Sequence, residues 1–242
     1  AQGPEFVVYK GDGGGGFSAQ PQILPASTGA RAVGDFNGDR KPDVLFTGFD
    51  ELILYLNDGS GRFGMPLRTP LSFPFMTSQS GVVAGDFNGD GKTDAAILPR
   101  NSTNGFDEGI LVFLSVGGGA FSSPNWYMPS LIGRGSTIQN IAVADFNRDG
   151  MSDLALATNL SGDTSRVTII TARQDNRFEA ARAYPFSTSD SGLQSTPSAV
   201  AAGDFAGRPL PGHLLPRAEF RCCRVSLRRL PTPIKSPVTE IP

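Results

Sequence analysis

Residues 85–94 read GDFNGDGKTD, with Asp at 86, 90 and 94, Asn at 88 and Gly at 85, 89 and 91. Three carboxylates within one short loop repel each other and resist burial unless something positive or hydrogen-bonded gathers them. The stretch is not unique. GDFNGDRKPD spans 34–43, ADFNRDGMSD spans 144–153, and GDFAGRPLPG begins at 203 and then loses the pattern. The leading aspartates, Asp35, Asp86, Asp145 and Asp204, are 51, 59 and 59 residues apart. A repeat at this period marks an array of structural units.

The flanks repeat with the windows. A small apolar run precedes each (ARAV, GVVA, IAVA, AVAA), and DVLFTG, DAAILP or DLALAT follows the first three. LILYL at 52, ILVFL at 110 and VTIIT at 167 come next, each closed by a turn and a Phe: NDGSGRF, SVGGGAF, ARQDNRF. These short runs, rich in Val, Ile, Leu and Phe and bounded by Gly, Asn and Asp, read as strands. Each unit is strand, acidic loop, strand, connection, strand, tight turn, strand, and no long amphipathic helix is seen. Four short strands per unit predict an all-β chain, a β-propeller of four-stranded blades. Complete blades are expected near 31–75, 81–131 and 140–187, with partial ones at 6–24 and 198–206. The Gly-rich GDGGGGF at 11–17 reads as a hairpin turn, since no Lys-Ser/Thr follows it to hold a phosphate.

Within each window, side-chain oxygens recur at odd positions. With the first Asp as position 1, the middle loop offers Asp86, Asn88, Asp90 and Asp94, and Lys92 offers its carbonyl at position 7. The first offers Asp35, Asn37, Asp39 and Asp43 with Lys41; the third offers Asp145, Asn147, Asp149 and Asp153 with Met151. Hard oxygen donors converging from one tight loop suit calcium, and magnesium less, because it demands octahedral geometry and keeps more water. One divalent ion takes three carboxylates to a net charge of about −1. The fourth window has Ala206 and Arg208 at positions 3 and 5, so no metal is expected there. The competing reading is a set of DG-rich turns in which Asp and Asn serve turn geometry alone. An EF-hand is excluded, because its bidentate Glu at position 12 would fall on Phe46, Ile97 and Leu156. Arg40 stands at position 6, where the other loops have Gly, so strain is expected in the first turn.

The D-x-N-x-D-x-x-x-D loop between apolar strands, repeated at blade spacing over about residues 6–205, resembles the FG-GAP or VCBS-type repeats of integrin-α-like β-propellers. The literal Phe-Gly…Gly-Ala-Pro signature is not conspicuous. The resemblance implies loops that join neighbouring strands of a blade and hold calcium, in secreted or cell-surface proteins. It also implies more blades than the three complete units seen here. The chain is therefore expected to be a fragment of a larger propeller, the alternative being a small ring closed by the strand near 199–205.

Composition limits the chemistry. The net charge of −2 hides a split: residues 1–207 carry −7 and residues 208–242 carry +5. That tail, with no Asp and with both cysteines, Cys222 and Cys223, reads either as the product of a reading-frame change or as a genuine basic tail. The single histidine, His213, lies in it, so the repeats contain neither His nor Cys. Ser-His-Asp, Cys-His and histidine–zinc chemistry are thereby excluded from the repeats. No apolar run reaches about 18 residues, so no membrane-spanning helix is expected. Asp107, Glu108, Asp163 and Asp190 are expected in solvent-facing connections. The chain is read as a non-enzymatic, calcium-stabilised, extracytoplasmic module for adhesion or for binding a protein or carbohydrate ligand. The alternative is a propeller belonging to a polysaccharide-acting enzyme. Nucleic acid is not expected as a partner. Binding is expected opposite the acidic loops, around 73–80, 125–128 and 187–196, with Trp126 and Tyr127 either a ligand platform or packing between blades.

Overall fold

The computed structural model of the chain describes residues 5–18, 21–25, 29–48, 50–71, 78–100, 109–127, 136–160, 166–185, 200 and 202. Outside the described residues lie the fourth window from 203, the tail with His213 and both cysteines, Asp107, Glu108, Asp163 and Asp190. The same holds for the expected binding segments at 73–77, 128 and 187–196.

The described residues form strands and turns and no helix. A two-stranded hairpin comes first, β1 (Glu5–Val8) with β2 (Gln22–Pro25). Three four-stranded antiparallel sheets follow. The first is β3 (Arg31–Gly34), β4 (Asp43–Thr47), β5 (Glu51–Tyr55) and β6 (Leu67–Pro70), in that order. The second is β7 (Ser78–Gly85), β8 (Asp94–Arg100), β9 (Ile110–Phe113) and, past a small hairpin of β10 (Ser115–Gly117) and β11 (Ala120–Phe121), β12 (Asn125–Tyr127). The third is β13 (Ser136–Ala144), β14 (Asp153–Leu160), β15 (Arg166–Ala172) and β16 (Phe178–Pro185). In each sheet an acidic loop joins the first strand to the second.

The inner strands are apolar at nearly every position because both faces of each sheet are covered. Successive side chains point to opposite faces, and the packing sorts them accordingly. From the first sheet, Val44, Phe46, Ile53 and Tyr55 pack with Leu24 of the hairpin, whereas Leu45, Leu52 and Leu54 pack with Ala95, Ile97, Leu111 and Phe113 of the second. The second sheet turns Ala96, Leu98, Ile110 and Val112 to meet Leu154, Leu156 and Ile170 of the third. The remaining face of the third sheet carries Ala155, Ala157, Val167 and Ile169, and Val200 packs there. Val82 and Ile141 take the same place against the first and second sheets. The N–H of Val200 donates to Asn140 Oδ1 at 3.2 Å. Residue 200 thus lies against the third sheet.

The first strands of neighbouring sheets converge closely. A Cβ on Gly34 would stand 2.5 Å from Thr93 Cγ2, and one on Gly85 would stand 2.8 Å from Ser152 Cβ. Aromatic pairs join the sheets near the loops. Phe36 of the first loop meets Phe121 of the β10–β11 hairpin with ring centroids 5.9 Å apart, and Phe87 of the second loop meets Phe178 of the third sheet at 5.6 Å. GDGGGGF forms a turn in which Asp12 Oδ1 accepts from the N–H groups of Gly14 and Gly16, at 2.8 and 2.9 Å. Among the described residues no helix is long and apolar enough to cross a membrane.

Candidate metal-binding loops

The three loops share one hydrogen-bonding plan. The position-1 carboxylate turns inward and accepts from the backbone: Asp86 Oδ1 from Gly89 and Asp90 at 2.7 and 3.2 Å, and Oδ2 from Gly91 at 2.8 Å. Asp35 and Asp145 do the same for residues 38–40 and 148–150. The Asn37, Asn88 and Asn147 carbonyl oxygens each accept from the N–H two residues on, at 2.9, 3.1 and 2.9 Å. Position 5 accepts from position 7: Asp39 from Lys41, Asp90 from Lys92, Asp149 from Met151. Such winding needs a positive φ at positions 4 and 6. Gly38, Gly89, Gly91 and Gly150 meet that need without a Cβ; Arg40 (φ 64°) and Arg148 (φ 67°) meet it as non-glycines. The strain foreseen at Arg40 therefore has a counterpart at Arg148, which sequence reading did not single out.

Position 9 plays a different part. Asp43, Asp94 and Asp153 have no exposed surface. Asp94 Oδ2 accepts from Phe87 N–H at 2.9 Å, closing the loop, and Oδ1 accepts from Ser115 N–H at 2.8 Å, tying it to the third strand's end. Asp43 bonds Phe36 and Asn57 in the same way, and Asp153 bonds Phe146 and Ala172. Burial pushes the Asp94 and Asp153 carboxyls up to about 6, partly offset by these N–H donors and reinforced by nearby carboxylates, Asp90 and Asp86 in one case and Asp149 in the other. Asp43 is raised for the same reasons. Sequence reasoning missed the residues whose N–H groups donate to these aspartates, Asn57, Ser115 and Ala172; their shared signal was their place at the start of the turn motifs NDGSGRF, SVGGGAF and ARQDNRF.

Successive loops are also bonded to one another. Thr93 N–H donates to Asp35 O at 3.2 Å and Ser152 N–H to Asp86 O at 2.7 Å. Ser115 Oγ donates to Phe36 O at 2.9 Å.

The donor set of each loop is all oxygen, and its carboxylates feel one another's charge, as a hard cation requires. Yet among the described residues no three acidic side chains converge closely enough to hold a metal as they stand. The outer oxygen of position 5 carries another donor instead: Lys92 Nζ on Asp90 at 2.8 Å, Lys41 Nζ on Asp39 at 3.3 Å, and Asn147 Nδ2 on Asp149 at 2.8 Å. These exposed groups turn on single bonds, so the oxygens at positions 3 and 5 are free to reorient about the loop.

Trp126 and Tyr127 part company. Tyr127 pairs with Ile110, shares its face of the second sheet, and meets Phe178 in a tilted contact with centroids 5.6 Å apart. Trp126 pairs with Leu111 on the opposite face and lies half-exposed against Gly109, where a Cβ would come 2.6 Å from the indole.

Residues 35–97 match the family model of the FG-GAP-like repeat, a span that holds the first two acidic loops and the whole first sheet after β3. In three dimensions the chain is similar to an Agrocybe aegerita lectin solved for its specific recognition of non-reducing terminal N-acetylglucosamine, with a TM-score of 0.54 and 18% identity. That likeness covers 73% of this chain and 45% of the lectin, and at this identity it speaks to the fold alone. A second similar structure is the Photorhabdus luminescens Tc holotoxin pore, with a TM-score of 0.43 and 18% identity over 69% of this chain and 9% of that one. The chain thus spans less than half the length of either. No curated protein matches its sequence.

Proposed function

We propose that this chain is a calcium-stabilised β-propeller repeat module of an extracytoplasmic protein, serving to bind a protein or carbohydrate ligand without transforming it. Each four-stranded sheet is one blade, stacked face to face on the next. The observation that carries the calcium assignment is the identical plan of three loops, each presenting oxygens at positions 1, 3, 5 and 9 around one tight turn. Asp35, Asn37, Asp39 and Asp43, and their counterparts in the other loops, would hold the ion, with the carbonyls of Lys41, Lys92 and Met151. Calcium supplies charge neutralisation there and no chemistry. The FG-GAP-like repeat at 35–97 and a lectin of similar fold support a recognition role. The absence of His and Cys from residues 1–206 supports a non-catalytic one.

Extracellular calcium modules bind at about 10⁻⁴–10⁻³ M. Free calcium at ten times such a dissociation constant stabilises by about 1.4 kcal/mol per site, or about 4 °C per site in a chain of this size. The test is a thermal melt of the full chain in EGTA, in millimolar calcium and in millimolar magnesium. A rise specific to calcium and reduced by about one site's worth in Asp90→Ala is expected. A folded chain whose melting temperature ignores calcium would leave the aspartates as turn residues only.

A further inference from the structure

Two cavities lie at equivalent junctions between neighbouring sheets. One, of about 510 Å³, separates the β1–β2 hairpin from the β5–β6 turn of the first sheet. The other, of about 410 Å³, separates β12 of the second sheet from the β15–β16 turn of the third. Their walls correspond residue by residue. On one side Gln22 stands opposite Val8 in the strand ladder, as Asn125 stands opposite Val112. On the other side the turn ends Gly61-Arg62-Phe63 in one case and Asn176-Arg177-Phe178 in the other, and the first residue of each has positive φ, 88° and 61°.

The middle junction shows what folding alone requires. There Leu67, opposite Leu54, stands where Gln22 and Asn125 stand elsewhere, and the turn reads Gly119-Ala120-Phe121. A Cβ on Gly119 would lie 2.6 Å from Leu67 Cδ1, so the leucine covers the turn and no arginine is present. One junction of the row is thus covered by an apolar side chain, while at the other two an amide side chain, an exposed arginine and the closing Phe of the turn line one cavity. In the second groove Tyr127 lies against Phe178. Asp175, at its edge, is paired with Arg173 at 3.5 Å, and Arg177 forms no ion pair among the described residues. In the first groove Lys10 adds a second cation, its Nζ held on Ser60 O at 2.8 Å.

We infer that these two grooves each bind the acidic end of a saccharide, a uronic acid residue, with Arg62 or Arg177 taking the carboxylate. A guanidinium recognises a carboxylate through two parallel N–H donors, a geometry no neutral hydroxyl reproduces. Tyr127 with Phe178 in the second groove, and Phe63 in the first, offer apolar surface to a sugar ring. The amide of Asn125 serves ring hydroxyls. The amide of Gln22 is spent on the Phe63 backbone, at 2.7 and 2.9 Å, and holds the first groove's wall in place. Both volumes fall in the lower part of the range for small-ligand sites, about 300–1,000 Å³, which suits one or two sugar rings and leaves little room for a peptide. The inference rests on the recognition role proposed above. The second groove keeps Asn125–Tyr127 of the expected segment at 125–128 but places it beside the turns at the loop-bearing end, and the first groove lies outside the segments sequence reading named.

The test is calorimetric titration of the full chain with methyl glucuronide, with methyl glucoside and a short glutamate peptide as comparators, in calcium and again in EGTA. Two sites per chain are expected for the glucuronide, with the glucoside at least about tenfold weaker, a difference of about 1.4 kcal/mol. Arg177→Ala should leave one site, and Arg62→Ala with Arg177→Ala none. Both arginines are exposed, so the variants are expected to keep the parent melting curve. Equal binding of glucoside and glucuronide, equal binding of the peptide, or full binding by the double variant would overturn the assignment. Absence of glucuronide binding in a chain that still melts higher in calcium overturns the grooves and leaves the calcium-stabilised module standing. A melt indifferent to calcium removes the calcium assignment, and the titration in EGTA then reads the grooves independently.

Discussion

At Asp94 two opposing demands meet. The side chain is sealed from water, which disfavours its charge, yet it accepts two backbone N–H bonds that favour it. Burial wins, and the carboxyls of Asp94 and Asp153 rise to about 6. Between the unfolded value near 3.8 and about 6, the folded chain keeps a proton that the unfolded chain has lost. These groups therefore contribute stability that is complete below about pH 4 and lost as pH rises through 6. In EGTA the melting temperature should rise as pH is lowered from 7 to 5. In calcium the rise should vanish or reverse, because protons compete with the metal for the same carboxylates; a calorimetric pH series in both buffers measures it. Arg40 and Arg148 give a second residue-scale prediction. A left-handed conformation costs a non-glycine roughly 1–2 kcal/mol, so Arg40→Gly and Arg148→Gly should each stabilise by about 1 kcal/mol, read from urea midpoints. The ligand grid at positions 1, 3, 5 and 9 was legible because it is a matter of spacing. The latch role of position 9 was not, because Ser115, which receives Asp94, lies 21 residues away.

Among the elements, the turn between the third and fourth strands does more than reverse the chain. Its closing Phe reaches the Phe of the preceding unit's acidic loop, so that Phe178 touches Phe87 and Tyr127 at once. Phe178→Ala would remove these contacts and leave a void at the junction, and a loss of about 3–5 kcal/mol is expected from urea denaturation. Phe17, at the same place in the first hairpin, is 72% exposed and meets only the Tyr9 ring among the aromatic side chains described. Phe17→Ala should therefore cost a small fraction of that amount. A Phe after every turn is visible in the sequence, but its partner is not, because the ring contact crosses from one unit to the next. The same limit applies to LILYL and ILVFL, whose apolar runs identify strands without telling which residues face which neighbour.

For the molecule as a whole, stability is carried by nearest neighbours in a row of sheets. Each junction combines an apolar cluster, an aromatic pair or its equivalent, and hydrogen bonds such as Thr93 N–H to Asp35 O that tie one acidic loop to the next. The junctions are alike in backbone and unlike in side chains: Leu67 closes one, whereas Gln22 and Asn125 stand at the rims of the other two.

The sequence by itself determined the all-β class, the repeat period, the place of each acidic loop and the residues able to offer oxygens. All of these are set by local spacing and by the conformational preferences of Gly, Asn and Asp. Tertiary structure alone decided the rest: the burial of Asp43, Asp94 and Asp153, the placing of Tyr127 and Trp126 on opposite faces, the sorting of each sheet's residues between its two faces, and the matching of two grooves on either side of a junction covered by Leu67. Those features arise where distant segments meet. Which segments meet depends on how one sheet stacks on the next, and that is not written in the spacing within any single unit.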